Sequence, residues 1–174
     1  ACELWRAGVG GLEDLDEIAQ LAADRLVDCY RRSHRPDWQW YESRLTYANA
    51  VLPHALFDAA ERWANDDYRA VADESFGFLD RETTVNGLFW PVGNRDWFSQ
   101  GEAKSPYDQQ PVEASTMASA ALAGMKGDDE RRYDGVFDRA CAWFHGQNSL
   151  GMPLADAMQG GCFDGLQAEG LNLN

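Results

Sequence analysis

The sequence predicts an all-α fold made of helical hairpins, and two observations predict it. Apolar residues recur at i, i+3, i+4 and i+7 along successive stretches, the spacing of one helix face. The stretches then recur as a unit: a polar, aromatic loop, a helix of small residues, an Asx-rich turn and an outer amphipathic helix. The 174 residues suit one domain, and 45% hydrophobic content is enough for a core.

The first helix is expected from Leu12 to Arg32, with Leu15, Ile18, Ala19, Ala22, Leu26, Cys29 and Tyr30 on one stripe. Acidic residues crowd its start and Arg31-Arg32 its end, as the helix dipole favours. Ser33 to Tyr41 reads as a loop. A second helix is expected from about Glu42 to Asn65, burying Leu45, Ala48, Leu52, Leu56, Ala59, Ala60 and Trp63. Pro53 lies inside that span and should kink or break it near Leu52, since proline lacks the N–H a helix interior needs. Asn65-Asp66-Asp67 caps a third helix running to about Arg81.

Thr83 to Tyr107 is a long loop with a strand pair expected around Gly87-Leu88-Phe89-Trp90. So long a loop in a compact domain is functional or disordered, and Phe89, Trp90, Trp97 and Phe98 argue against disorder. Tyr107-Asp108-Gln109-Gln110-Pro111-Val112-Glu113 then opens a fourth helix, Gln109 to Lys126, made mostly of small residues. Proline is tolerated in a first turn, and Asp108 is expected to be its N-cap. Gly127-Asp128-Asp129 makes a second turn and cap before a fifth helix ending at His145. Gln147 to Asn174 reads as a third loop, ending where another helix of small residues would begin. The chain also starts without Met, so this reading takes it as truncated at both ends.

Fifteen Lys and Arg against 29 Asp and Glu give a net charge of −14. That disfavours nucleic acid and anionic membrane as partners, because no basic patch exists to displace counterions. Together with seven Trp, it fits a neutral carbohydrate partner. Cys2, Cys29, Cys141 and Cys162 are far apart and form no CxxC, and His34, His54 and His145 add no ligand spacing. No metal site, disulfide framework or cofactor is expected, and the compartment reads as reducing and cytoplasmic. No long apolar run or signal-peptide pattern occurs. Nucleophile elbows, phosphate loops and dinucleotide fingerprints are also missing.

Four strings carry a family resemblance: Trp38-Gln39-Trp40-Tyr41-Glu42 with Leu52-Pro53 beyond it, Pro91-Val92-Gly93-Asn94-Arg95, Tyr107 to Ala114, and Gly160-Gly161-Cys162-Phe163-Asp164-Gly165 with Asn172-Leu173-Asn174. Over about residues 33–174 the chain resembles the bacterial (α/α)6-toroid proteins of the six-hairpin glycosidase superfamily. Within it, the chain is similar to uncharacterised members encoded beside, or fused to, glycosyltransferases. The resemblance implies part of an (α/α)6 toroid, completed by missing segments or another chain, and a possible glycosyltransferase partner. It also implies that the loops ahead of the small-residue helices share one face.

Glycoside cleavage commonly uses two carboxyl groups, about 5–5.5 Å apart for retention and about 6.5–9.5 Å for inversion. Asp108 with Glu42 or Asp164 is the candidate catalytic pair. Trp38, Trp40 and Trp97 are candidate sugar-stacking faces. Asn94, Arg95, Gln109, Gln110, Glu113 and Asn172 are candidate hydroxyl-binding groups. Each also has a plain reading: Glu42 as a first-turn acid, Arg95 as a partner of Asp96 or Asp108, Asp164 as a turn residue, the Trp residues as packing. Rival functions are a glycan-binding accessory module of a glycosyltransferase, and a sugar epimerase or lyase. The latter is disfavoured because such toroids rely on cavity histidines and only His34 lies in a mouth loop.

Overall fold

The computed structural model describes residues 13–126, 130–156, 158 and 160–173. Among these, α1 spans Glu13–Ser33, α2 Val51–Trp63, α3 Asp66–Thr83, α4 Pro111–Gly124 and α5 Glu130–Phe144. Eight short strands fall between and after them: β1 Arg44–Leu45, β2 Thr84–Val85, β3 Leu88–Phe89, β4 Phe98–Ser99, β5 Ala155–Asp156, β6 Gly161–Cys162, β7 Gly165–Gln167 and β8 Gly170–Asn172. They pair antiparallel as β1–β4, β2–β3, β5–β6 and β7–β8.

The expected all-α class is therefore corrected. The described chain is 51% helical with 15% in strands and bridges, and its strands make four small antiparallel sheets. The physical reason is that the long loops satisfy their own backbone groups by folding into hairpins. In β2–β3, Asn86 and Gly87 both take positive φ (52° and 79°), the two-residue turn that matches strand twist. In the last segment, read as a loop, Gly165 pairs with Asn172 and Gln167 with Gly170.

Two helical hairpins form the body. α3 packs back on α2 and α5 on α4, while α1 lies over α2 and α3. α2 and α4 run side by side in the same direction. Glu113 in the first turn of α4 reaches Ala48 and Asn49 just ahead of α2. At the other end, Lys126 beyond α4 meets Glu61 near the end of α2 at 2.7 Å. The small residues of α4 allow this closeness: Ala114, Ala120 and Ala121 are fully buried. A Cβ on Gly124 would sit 3.1 Å from Tyr133 and 3.2 Å from Phe57. Leu56, Phe57, Phe76, Met117, Tyr133 and Trp143 fill the core between the hairpins.

Helix boundaries differ from expectation at two places. The second helix begins at Val51, not near Glu42. Arg44 and Leu45 pair instead with Ser99 and Phe98, and Ala48 takes a left-handed φ of 51°, which no helix continues through. Pro53 then sits in the first turn, where its missing N–H costs nothing, and does not kink the helix. The fourth helix begins at Pro111 with Gln110 as an extended N-cap, so Asp108 is not the cap. Asn65 does cap α3, accepting from the Asp67 and Tyr68 N–H groups at 3.0 and 3.2 Å. The expected Asp128-Asp129 cap lies outside the described residues, as does Asn174. Among the described residues no helix is long and apolar enough to cross a membrane.

Gly93 holds the long loop against the start of α4. Its N–H donates to the Ser105 carbonyl at 2.8 Å, and an added Cβ would fall 1.7 Å from the Tyr107 carbonyl oxygen. Gly93→Ala is expected to cost about 3 kcal/mol, the upper range for a group forced into a packed site. Gly87→Ala, with open space around it, should cost only the strain of its positive φ, about 1 kcal/mol. Paired urea unfolding curves check the ordering, and equal midpoints would contradict it.

Candidate functional site

The loop ahead of α4 and the β7–β8 hairpin meet through the backbone of Gln109. Its N–H and carbonyl exchange two 2.9 Å hydrogen bonds with Leu166. Gly165 makes the contact possible, since a Cβ there would approach the Gln109 carbonyl oxygen to 2.4 Å. The Gln109 side chain is fully buried and closes the joint. Its amide donates to the Pro106 carbonyl (2.8 Å) and the Ser149 hydroxyl (3.0 Å), and its oxygen accepts from the Trp143 indole (3.1 Å).

Above this joint lies a cleft of about 180 Å³ lined by Asn94, Asp108, Gln109, Gln110, Asp164, Gly165, Leu166, Gln167 and Asn172. Its wall is almost all amide and carboxylate. Asn94 is held over it by its N–H, which donates to the Asp108 carbonyl at 3.0 Å. The strand register carries Asn172 opposite Gly165, and the Asn172 amide donates to the Asp164 carboxylate at 3.1 Å. Arg95 contacts Asp108 Oδ2 through Nε at 3.5 Å, with both side chains partly exposed.

Two acceptors in this wall stand apart. Asp108 Oδ1 and Gln110 Oε1 are buried and receive no hydrogen bond from the described residues. A buried acceptor left unpaired costs about 1–3 kcal/mol, so such groups are usually matched by a donor. Two of them in one polar cleft suit a ligand that brings several O–H or N–H donors.

The fold brings some of the sequence-predicted residues together and separates the others. Asn94, Asp108, Gln109, Gln110, Asp164 and Asn172 come together in the cleft, with Arg95 against Asp108. Glu42 does not join them: it lines a different pocket beside Arg44 and Tyr47. Trp38 and Trp40 are 3% and 1% exposed and pack edge-on with Phe98, Phe78 and Tyr41 in the core. Trp38 also donates its indole N–H to the Glu42 carbonyl at 2.6 Å. Trp97 is half-buried near the cleft, its indole donating to Asn94 Oδ1 at 3.1 Å. Gln167 lines the cleft and was not singled out by sequence. Its signal was the alternation that puts it on the same strand face as Gly165. His34 and His54 lie beside Glu74 and Asp58, and no histidine lines the cleft.

Glu113, expected to bind substrate, does not line the cleft and instead joins the first turn of α4 to the residues ahead of α2. It is 7% exposed and accepts from the Ala48 N–H, the Asn49 N–H (3.4 Å) and the Asn49 side-chain amide (3.1 Å). Desolvation pushes its carboxyl above the ordinary range, against the pull of those three donors. Comparison with protein-family models, with curated proteins and with solved structures returns no match.

A raised native pKa means the folded state holds the Glu113 proton more tightly than the unfolded chain does. Its contribution to stability is full below the ordinary glutamate value, about 4.3, and is lost as pH rises through the native value. The unfolding free energy of the wild type minus that of Glu113→Gln should therefore fall across that window. Paired denaturant titrations from about pH 4 to pH 8 measure it. A difference that grows with pH contradicts dominance by burial.

Proposed function

We propose that the cleft binds one ring of a neutral glycan, and that Asp108 and Asp164 are the carboxyl pair of a glycoside hydrolase. The observation that carries the reading is the pair of buried, unmatched acceptors, Asp108 Oδ1 and Gln110 Oε1. Sugar hydroxyls are donors as well as acceptors, and vicinal hydroxyls meet adjacent acceptors without adding charge. The size supports it too: about 180 Å³ is below the range of about 300–1,000 Å³ typical of drug-sized ligands and suits a single small polar ring. The net charge of −14 favours a neutral ligand over a polyanion.

In this reading Asp108, against which the Arg95 guanidinium lies, acts as the nucleophile or the base. Asp164 supplies the proton to the leaving oxygen. The proton moves from the Asp164 carboxyl to the glycosidic oxygen as the anomeric C–O bond breaks. As that bond breaks, Asp108 either bonds to the anomeric carbon, its ester then being cleaved by a water that gives its proton to Asp164, or takes the proton of the water that attacks this carbon, according to the separation of the two carboxyls. The resemblance to six-hairpin glycosidases agrees with such a pair. An epimerase or lyase reading gains nothing, since the cleft has no histidine.

The Arg95 contact also favours a second reading. A guanidinium facing Asp108 and an amide facing Asp164 can hold both carboxylates simply as hydrogen-bond acceptors. The domain would then bind glycan without cleaving it, as an accessory to a glycosyltransferase.

Turnover of aryl glycosides and neutral oligosaccharides, followed with binding of the same sugars, separates the two. Hydrolysis predicts that Asp108→Asn lowers kcat by about 10²-fold or more while sugar still binds. Binding without turnover in the wild type selects the accessory role. Absence of both overturns the carbohydrate reading.

A further inference from the structure

The cleft is not the only cavity at this end of the molecule. A second pocket of about 260 Å³, larger than the cleft, lies among Trp40, Glu42, Arg44, Tyr47, Asn49 and Val51. We propose that it takes the next sugar units of the same glycan, so that the ligand is a neutral oligosaccharide and not a monosaccharide. The inference rests on the carbohydrate reading of the cleft and extends it.

Three observations carry it. First, one chain of side-chain contacts links the walls of the two cavities. The Arg44 guanidinium, in the second pocket, lies 5.4 Å from the Trp97 ring centre, and the Trp97 indole bonds to Asn94, in the cleft. Behind them, Glu113 ties Ala48 and Asn49 of the second pocket to the first turn of α4, next to Gln110 of the cleft.

Second, the pocket has the mixed wall that a sugar ring needs, apolar for C–H faces and polar for hydroxyls. Tyr47 and Val51 are 56% and 46% exposed, large side chains left uncovered at its rim. Glu42 and Arg44 stand beside them with opposite charges. Arg44 is steadied by the Ser99 hydroxyl at 3.2 Å from its Nε.

Third, the backbone between and beside the cavities is held in costly conformations. Trp97 has φ 61° and Ala48 φ 51°, a region that bulky or Cβ-bearing residues rarely enter. Trp97 is kept there by its N–H to the Gly93 carbonyl (3.2 Å) and by Ser105, whose N–H donates to its carbonyl (3.0 Å). Such strain persists where the surroundings over-determine it, as at ligand clamps. Here it sets the indole that stands between Arg44 and Asn94.

The test is a length series. Isothermal titration calorimetry with mono- to hexasaccharides of neutral gluco- and manno-series is run on the wild type, Tyr47→Ala and Asp108→Asn. Tyr47 is exposed, so its truncation leaves the core intact. The proposal predicts that affinity rises about tenfold or more from one unit to two or three. It predicts that Tyr47→Ala removes that gain and leaves monosaccharide affinity unchanged, while Asp108→Asn, outside the second pocket, still binds and keeps the gain with length. Amide chemical-shift changes should spread from Asn94 and Gln110 with the monosaccharide to Arg44, Tyr47 and Val51 with the longer sugars. Monosaccharide binding with no gain from length, or a gain that survives Tyr47→Ala, overturns this inference and leaves the cleft reading standing. No binding by any sugar of either series overturns both.

Discussion

One buried carboxylate fixes how the two hairpins meet. Glu113 leaves the first turn of α4 and takes hydrogen bonds from the backbone just ahead of α2. A helix start has unpaired N–H groups, and α2 has no side-chain cap of its own to satisfy them. The turn ahead of the helix meets that need, with the Val51 and Leu52 N–H groups donating to the Ala48 and Asn49 carbonyls at 3.0 and 3.2 Å, and Glu113 holds the N–H groups of that turn from the neighbouring hairpin. The contact sets α2 and α4 parallel, with their starting loops together. Removing one partner of such a buried contact leaves the others unpaired and is more costly than the contact itself is stabilising.

The site follows from this alignment and from two close backbone approaches. Gly93 lets the long loop lie on Tyr107, and Gly165 lets the last hairpin lie on Gln109. Three segments distant in sequence thus present Asn94, Asp108, Gln110, Asp164 and Asn172 to one space. Gln109 is the hinge of the arrangement and not a ligand group. Every polar atom of its side chain is spent on Pro106, Ser149 and Trp143.

How much of this was legible in the sequence depended on whether the deciding interaction was local. The helices from Glu13, Asp66 and Glu130 are governed by their own apolar spacing and were readable from it. The stretch from Glu42 to Ala50 carries the same spacing, yet its backbone is claimed by Phe98, Ser99 and Glu113. No local rule shows a partner more than fifty residues away. The tryptophans divided for the same reason. Trp38 and Trp40 sit beside a carboxylate in sequence, but Phe78 and Phe98 bury them, whereas Trp97 stays near the surface. The all-α expectation failed where glycine and Asn-Gly turned loops into hairpins. The cleft residues were the more legible part, because amides and carboxylates clustered at one helix start in an aromatic loop have few local roles to fill.

The central claim is that a neutral sugar supplies the donors for Asp108 Oδ1 and Gln110 Oε1. A crystal structure of the protein grown with glucose or mannose tests it most directly. The account predicts ring hydroxyls within about 3 Å of both oxygens, with Asn94, Asp164 and Asn172 around the same ring. A sugar bound elsewhere, or protein donors closing on the two oxygens in the crystal, would contradict it.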